Sequence, residues 1–234
     1  MALCRVQCTD LGIETIVSRI PSEVPHRTSV QYGGLRVAIA KATNTQKLFY
    51  RFAKDVLGVP TPSLRKLAWS DQCAGLEIFF ARARELPILL RDGQVDLILC
   101  GTDIFDEFHP EVRVLLNTGL EPCSMVLVGR TDRVDGEPHV GSQYPNLAPR
   151  LLQNFGCCQV KVREIAGAAE AWIAMGAFDF AVDTWRTGLT AEVNGMRLIR
   201  TFYSTHLAFG ASVDHEISSA QALFLEDFRE WLLR

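Results

Sequence analysis

The stretch GAAEAWIAMGAFDFAVDTWRTGLTAEVNGM, residues 167–196, places a helical pattern, a buried run and a polar turn end to end. AAEAWIAMGA (168–177) reads as a helix and FDFAVDT (178–184) as a buried strand. The turn that follows gathers Thr184, Thr187 and Thr190 around Gly188, carries Asp183 and Arg186 at its front, and closes at Asn194-Gly195. Open α/β sheets bind ligands beyond the carboxyl ends of their strands, so the turn begins where a ligand site is expected. A glycine lets backbone N–H groups close on an anion, and threonine hydroxyls add donors. The LTAEV that follows can open a helix whose N-terminus favours negative charge. Two readings stand on the residues alone. The turn is a βα loop with Thr187 or Thr190 as a helix cap, or it is a phosphate cradle with Asp183 accepting from a sugar diol.

Working outward, strands and helices alternate. LRVAIAK (35–41), LEIFFARA (76–83) and VDLILCG (95–101) read as buried strands. TQKLFYRFAKDVLGV (45–59) has helical spacing stopped by Pro60 and Pro62, and ELPILLRDGQ (85–94) is a short helix closed by Asp92-Gly93. The second half gives strands at 123–130, 138–143, 159–166 and 206–213, and a helix at 146–156. It ends in an amphipathic helix over 215–234, with Ile217, Ala220, Phe224, Phe228 and Trp231 on one stripe and Asp214 as N-cap. Such alternation implies an α/β fold with parallel or mixed sheets covered by helices. RTDRVDGEP (130–138), polar with Gly and Pro, marks a crossing between two lobes.

Composition excludes several functions. The chain has 234 residues, 48% hydrophobic and 22% charged, with a net charge of -3. That suits one large domain or two small lobes and offers no broad electrostatic attraction to nucleic acid or anionic lipid. No apolar run reaches signal-peptide or membrane-spanning length. Seven cysteines include no CxxC pair, which argues for free thiols in a reducing cytoplasm. The five histidines form no metal-ligand spacing.

The 167–196 stretch resembles the signature region of the ATP phosphoribosyltransferase family. Glu170, Gly176, Asp183, Thr187, Gly188, Thr190, Asn194 and Gly195 fall on its pattern without a gap. SQYPNLAPRLL (142–152) resembles the family's Tyr-Pro-Asn segment, RARELPILLRDGQVDLILCGTDIFDE (82–107) its Arg-Ala…Gly-x-Asp run, LLNTGLEPCSMVLVG (115–129) its Cys-Arg-Leu strand, and LRVAIAK its opening strand with a lysine. The likeness covers about residues 35–210. There are departures. Ala42-Thr43-Asn44 replaces Gly-Arg-Leu, Arg186 replaces Glu or Ser, Ala166-Gly167 replaces Asn-Gly, and Cys123-Ser124 replaces Cys-Arg. Positions 178, 184 and 191 also drift.

The resemblance implies a two-lobed architecture like that of type II periplasmic binding proteins. It implies residues 1–33 as an extension, 34–128 plus 205–234 as one lobe and 129–204 as the other. It implies transfer of phosphoribosyl from 5-phosphoribosyl 1-diphosphate to N1 of ATP, with Mg²⁺ and release of diphosphate. Thr187, Gly188, Leu189 and Thr190 would hold the 5′-phosphate, with Thr184 beside them, while Arg186, where the chain departs from the family, either adds positive charge to the same substrate site or is a solvated loop residue. Asp183 would touch the ribose hydroxyls directly or through Mg²⁺. Lys41 and Arg82 would meet the diphosphate or acceptor phosphates, and Tyr144 would stack on a base or pack in the core. Asp103 and Glu107 read as helix-start charge, Glu170 as a surface residue. The chain ends soon after the second lobe, without the long form's regulatory domain. A homodimer, or a hetero-oligomer with a subunit resembling histidyl-tRNA synthetase, is therefore implied. The rival readings are a transferase with another heteroaromatic acceptor and a non-catalytic module that binds a small anion.

Overall fold

The structure, a computed structural model, describes residues 32–58, 65–72, 74–132, 137–154, 160–188 and 192–234. Its strands form two sheets. The first is built on β1 (Leu35–Ala40), β2 (Ala68–Asp71), β3 (Leu76–Ala81), β4 (Leu97–Gly101), β5 (Val112–Asn117) and β11 (Leu207–Ser212), in the order β2-β3-β1-β4-β11-β5. β1 runs parallel to β3 and β4, while β11 runs antiparallel to β4 and β5.

β1 shows why LRVAIA is apolar on both faces apart from Arg36 near its start. A period of two sends Val37 and Ile39 to one face and Ala38 and Ala40 to the other, and both faces are covered. On the first face lie α1 (Thr43–Leu57) and α6 (Ser219–Leu232), packed through Phe49, Phe52, Phe224 and Phe228. Phe228 sits 4.7 Å from Phe52 and 4.8 Å from Phe209 between ring centroids. On the second face lie α2 (Leu86–Arg91) and α3 (Thr102–Glu107).

The second sheet comprises β6 (Cys123–Gly129), β7 (Val140–Ser142), β8 (Val162–Glu164), β9 (Phe180–Trp185) and β10 (Arg197–Thr205), in the order β10-β6-β9-β7-β8. Helices α4 (Leu147–Asn154) and α5 (Ala169–Ala174) accompany it. Ala181 packs with Ile173 of α5, whereas Phe180 and Val182 join a core shared with Ile98, Cys100, Ile104 and Phe105 of the first lobe. Apolar packing is thus continuous between the two sheets.

Several expectations need correction. β6 pairs with β9 and β10, so Cys123–Gly129 belongs to the second lobe and the chain first crosses at 118–122. The 130–138 stretch connects β6 to β7 within one sheet, because the strand before it already pairs there. The return crossing lies at His206, between β10 and β11. The first lobe begins before residue 34, since the Tyr32 ring is fully buried and its hydroxyl donates to Asp227 at 3.0 Å. The last helix starts at Ser219, not after Asp214. Ser218 caps it by accepting from the Gln221 backbone while Gln221 reaches back to the Ser218 N–H, the reciprocal pairing of a Ser-x-x-Gln box. Ile217 therefore precedes the helix and is 44% exposed, whereas Phe224 and Phe228 are buried as the stripe implied. Cys100 and Cys123 are free thiols, and the other five cysteines lie outside the described residues. Among the described residues, no helix is long and apolar enough to cross a membrane.

Candidate functional site

β4 and β9 deliver the central residues from opposite sheets. β4 ends at Gly101, and α3 starts at once, placing Asp103 in its first turn. A Cβ at Gly101 would lie 2.1 Å from Asp103 Oδ1, so only glycine lets the carboxylate fold back over the strand end. β9 ends in Asp183-Thr184-Trp185. Between them stands Tyr144, just after β7, 2% exposed, whose hydroxyl donates to Asp103 Oδ2 at 2.7 Å. Thr184 also hydrogen-bonds the Tyr144 hydroxyl. The Tyr144 ring is enclosed in the shared core, so its face is not presented to a base.

Asp183 is held by its oxygen Oδ1. The Thr184 backbone N–H donates to it at 2.7 Å, and Gln143 Nε2 at 2.8 Å. No described donor reaches Oδ2. Burial raises the Asp183 pKa, and Glu170 on α5 and Asp103 raise it further, against the lowering effect of those two donors. Glu170 thus lies within electrostatic reach of the site. The Asp103 carboxyl is likewise raised by burial, with the Tyr144 bond opposing. Burial and the neighbouring Asp103 push the Tyr144 hydroxyl pKa up, so it remains a donor at neutral pH.

Thr187 and Gly188 follow β9, and Leu189 and Thr190 lie outside the described residues. Gly188 has φ 72, and a Cβ there would meet the Trp185 ring at 3.1 Å, so both backbone and space call for glycine. Its carbonyl accepts from the Glu192 N–H at 3.0 Å.

Arg186 is occupied in a way the sequence did not suggest. It pairs with Glu121 from the 118–122 crossing, and the same Glu121 oxygen accepts from Asn44 Nδ2 at 3.2 Å. Glu121 therefore ties the start of α1 to the turn after β9. Lys41 and Arg82 follow the paired ends of β1 and β3, where Ala40 lies opposite Ala81. Both side chains are exposed, and neither is joined to Asp183 by a hydrogen bond or ion pair among the described residues.

Sequence reasoning missed the residues that join the lobes. Asp103 and Glu107 are 8% and 2% exposed, not solvated helix-start charge. Glu107 accepts from the backbone N–H groups of Asn146 and Leu147 at 3.1 and 2.8 Å, and so caps α4 from the other lobe. Asp106 accepts from the Tyr203 hydroxyl at 2.6 Å, and Arg84 pairs with Glu164 at 2.9 Å. Asp103 was findable, since an acid just past a buried strand end is where α/β folds collect function. Glu121 and Gln143 carry no local signal.

No group of three or more His, Cys, Asp or Glu among the described residues is placed to hold a metal. A Mg²⁺ that arrives on diphosphate oxygens needs only one or two protein carboxylates. Asp183, with Oδ2 unengaged, fits that requirement.

A family model for ATP phosphoribosyltransferase matches residues 82–225. The ATP phosphoribosyltransferase of Methanopyrus kandleri is 28% identical over 165 residues, which are 68% of this chain and 58% of the relative. That of Gemmatimonas aurantiaca is 32% identical over 143 residues, 56% of this chain and 49% of the relative. The chain thus spans about half the length of these relatives. Among solved structures, a chain of the ATP phosphoribosyl transferase (HisG:HisZ) complex from Thermotoga maritima superposes with a TM-score of 0.72 at 22% identity, covering 85% of this chain and 98% of that one. The alkanesulfonate-binding protein SsuA from Xanthomonas axonopodis pv. citri gives 0.56 at 14% identity, covering 87% and 73%. The fold is therefore the two-lobed one shared by these transferases and periplasmic binding proteins.

Proposed function

The chain belongs to the ATP phosphoribosyltransferase family, and from that premise we propose that it transfers phosphoribosyl from 5-phosphoribosyl 1-diphosphate to N1 of ATP, the first step of histidine biosynthesis. The observation that carries this reading is Asp183. It lies near the carboxyl end of the central strand of its sheet, inside the matched stretch and shortly before the Thr187-Gly188 turn in sequence, with one carboxylate oxygen fixed and no described donor on the other.

The reaction needs no covalent nucleophile. Its transition state resembles a ribosyl oxocarbenium ion, so the protein must grip the 5′-phosphate, orient the ribose and offset charge on the leaving diphosphate. Thr187 and Gly188, with Leu189 and Thr190, form the phosphate turn in this reading. Asp183 Oδ2 accepts from a ribose hydroxyl. Exposed Lys41 and Arg82, side by side at the first sheet's carboxyl edge, take the diphosphate or the acceptor's phosphates. Mg²⁺, when bound with the substrate, neutralises the diphosphate. We further propose assembly with a subunit like that of the Thermotoga maritima complex, since nearly the whole of one chain of that complex superposes here.

One observation favours a different heteroaromatic acceptor. Ala42, Thr43 and Asn44 stand where the family has Gly-Arg-Leu, and the Asn44 amide is taken by Glu121. The test is release of diphosphate from 5-phosphoribosyl 1-diphosphate and Mg²⁺ with a panel of acceptors. Turnover with ATP supports the main reading. Turnover only with another base supports the second. Absence of turnover with ligand binding intact points to a non-catalytic anion-binding protein.

A further inference from the structure

We infer that Gln143 is a positioning residue: its amide pins Asp183 Oδ1, which leaves Oδ2 as the oxygen that selects a hydroxylated sugar. The inference rests on the phosphoribosyl reading above. Gln143 sits between two anchored neighbours. The Ser142 hydroxyl donates to the Val182 carbonyl at 2.7 Å and accepts from the Tyr144 N–H at 3.0 Å, which clamps this turn to β9. Tyr144 is in turn bonded to Asp103 in the other lobe. A carboxylate only accepts, so the amide must present its nitrogen to Asp183. The second hydrogen of that nitrogen faces the Tyr144 hydroxyl at 3.4 Å. The glutamine is thus fixed from both sides before any ligand arrives. An anchored donor on one carboxylate oxygen sets the plane and direction of the other, and little reorganisation remains for binding. The neighbouring acids Glu170 and Asp103 supply no such donor. Without Gln143, only the Thr184 backbone N–H would hold the carboxylate.

The test compares ribose 5-phosphate with 2,3-dideoxyribose 5-phosphate by calorimetry on the full chain. Gln143→Met keeps the length of the side chain and removes the donor. It is expected to weaken ribose 5-phosphate binding about tenfold, the scale of one hydrogen bond to a charged group, and to leave the dideoxy ligand unchanged. Gln143→Lys restores a donor and should recover most of the difference between the two sugars. Equal losses for both ligands would mean that Gln143 only supports the fold and would overturn the inference, as would an unchanged ribose 5-phosphate affinity in the Met variant. Failure of the wild type to bind either sugar would instead sink the phosphoribosyl reading and this inference with it.

Discussion

The Tyr144 hydroxyl donates to Asp103 across 2.7 Å, and the two residues come from different lobes. Tyr144 follows a strand of the second sheet, and Asp103 opens the helix after β4 of the first. The bond is buried and directional, so it fixes how the carboxyl ends of the two sheets face each other. Removing the hydroxyl leaves Asp103 short of a donor in a dry setting. Tyr144→Phe should therefore cost about 1–3 kcal/mol in urea unfolding, more than a surface substitution does.

The same pair sets a pH dependence. Burial, with Asp106 adding, raises the Asp103 pKa above its ordinary 3.8, against the Tyr144 bond. A raised native pKa means that the folded state binds the proton more tightly than the unfolded one. The stability this group contributes is present below the unfolded value and is lost as pH rises through the native value. Asp103→Asn removes that loss. Relative to the variant, the wild type should lose stability as pH is raised from the ordinary carboxylate range through the raised native value, measured as the difference in urea midpoints. A constant difference would show that Asp103 titrates normally.

Asp183 carries the proposed chemistry. Asp183→Asn keeps the shape but weakens the acceptor, and is expected to lower turnover by at least about 10²-fold. Burial disfavours the charged carboxylate, so this variant should unfold at a urea midpoint equal to or above that of the wild type. Activity lost together with stability would instead point to a structural role.

The Arg186–Glu121 pair is half exposed, at 48% and 28% for the two side chains. Such pairs contribute only about 0–1 kcal/mol, so releasing the arginine costs little. Glu121→Gln should tighten ribose 5-phosphate binding about twofold to fivefold at low salt, with the gain shrinking toward 1 M salt as screening shortens to about 3 Å. No gain at low salt would place Arg186 outside the anion's reach.

Glu107 caps α4 with a carboxylate from the other lobe. Glu107→Ala strands the buried Leu147 N–H and the part-buried Asn146 N–H and should cost about 1–3 kcal/mol, while Glu107→Gln, which keeps one acceptor oxygen, should cost about half of that. Urea midpoints of the two variants give the comparison.

Much of this protein was set by order along the chain. Nearly continuous apolar runs such as LRVAIA, broken only by Arg36, made buried strands, Gly58 ended α1 in a left-handed turn, and Gly188 kept the polar turn tight. Asp183 stood out because a strand end followed by Thr-Gly is a local signal. What the sequence could not show is whatever depends on pairing between distant segments. Arg197–Thr205 mixes exposed residues, the apolar Leu198 among them, with half-buried Ile199, Phe202 and Tyr203 in no period of two, so the edge strand β10 had no apolar run to announce it. The lobe boundary lies before β6 because an apolar run such as CSMVLVG carries no signal of which sheet it joins, and in the fold it pairs with β9 and β10. Glu107, Glu121 and Gln143 read locally as ordinary polar residues, and the position of Asp103 past a buried strand end hinted at a role without showing its partner. Folding removes Asp103 and Glu107 from water, and a buried polar group must then find a partner wherever the other lobe offers one, whereas Glu121 and Gln143 stay partly covered and gain their partners because the fold brings distant segments together.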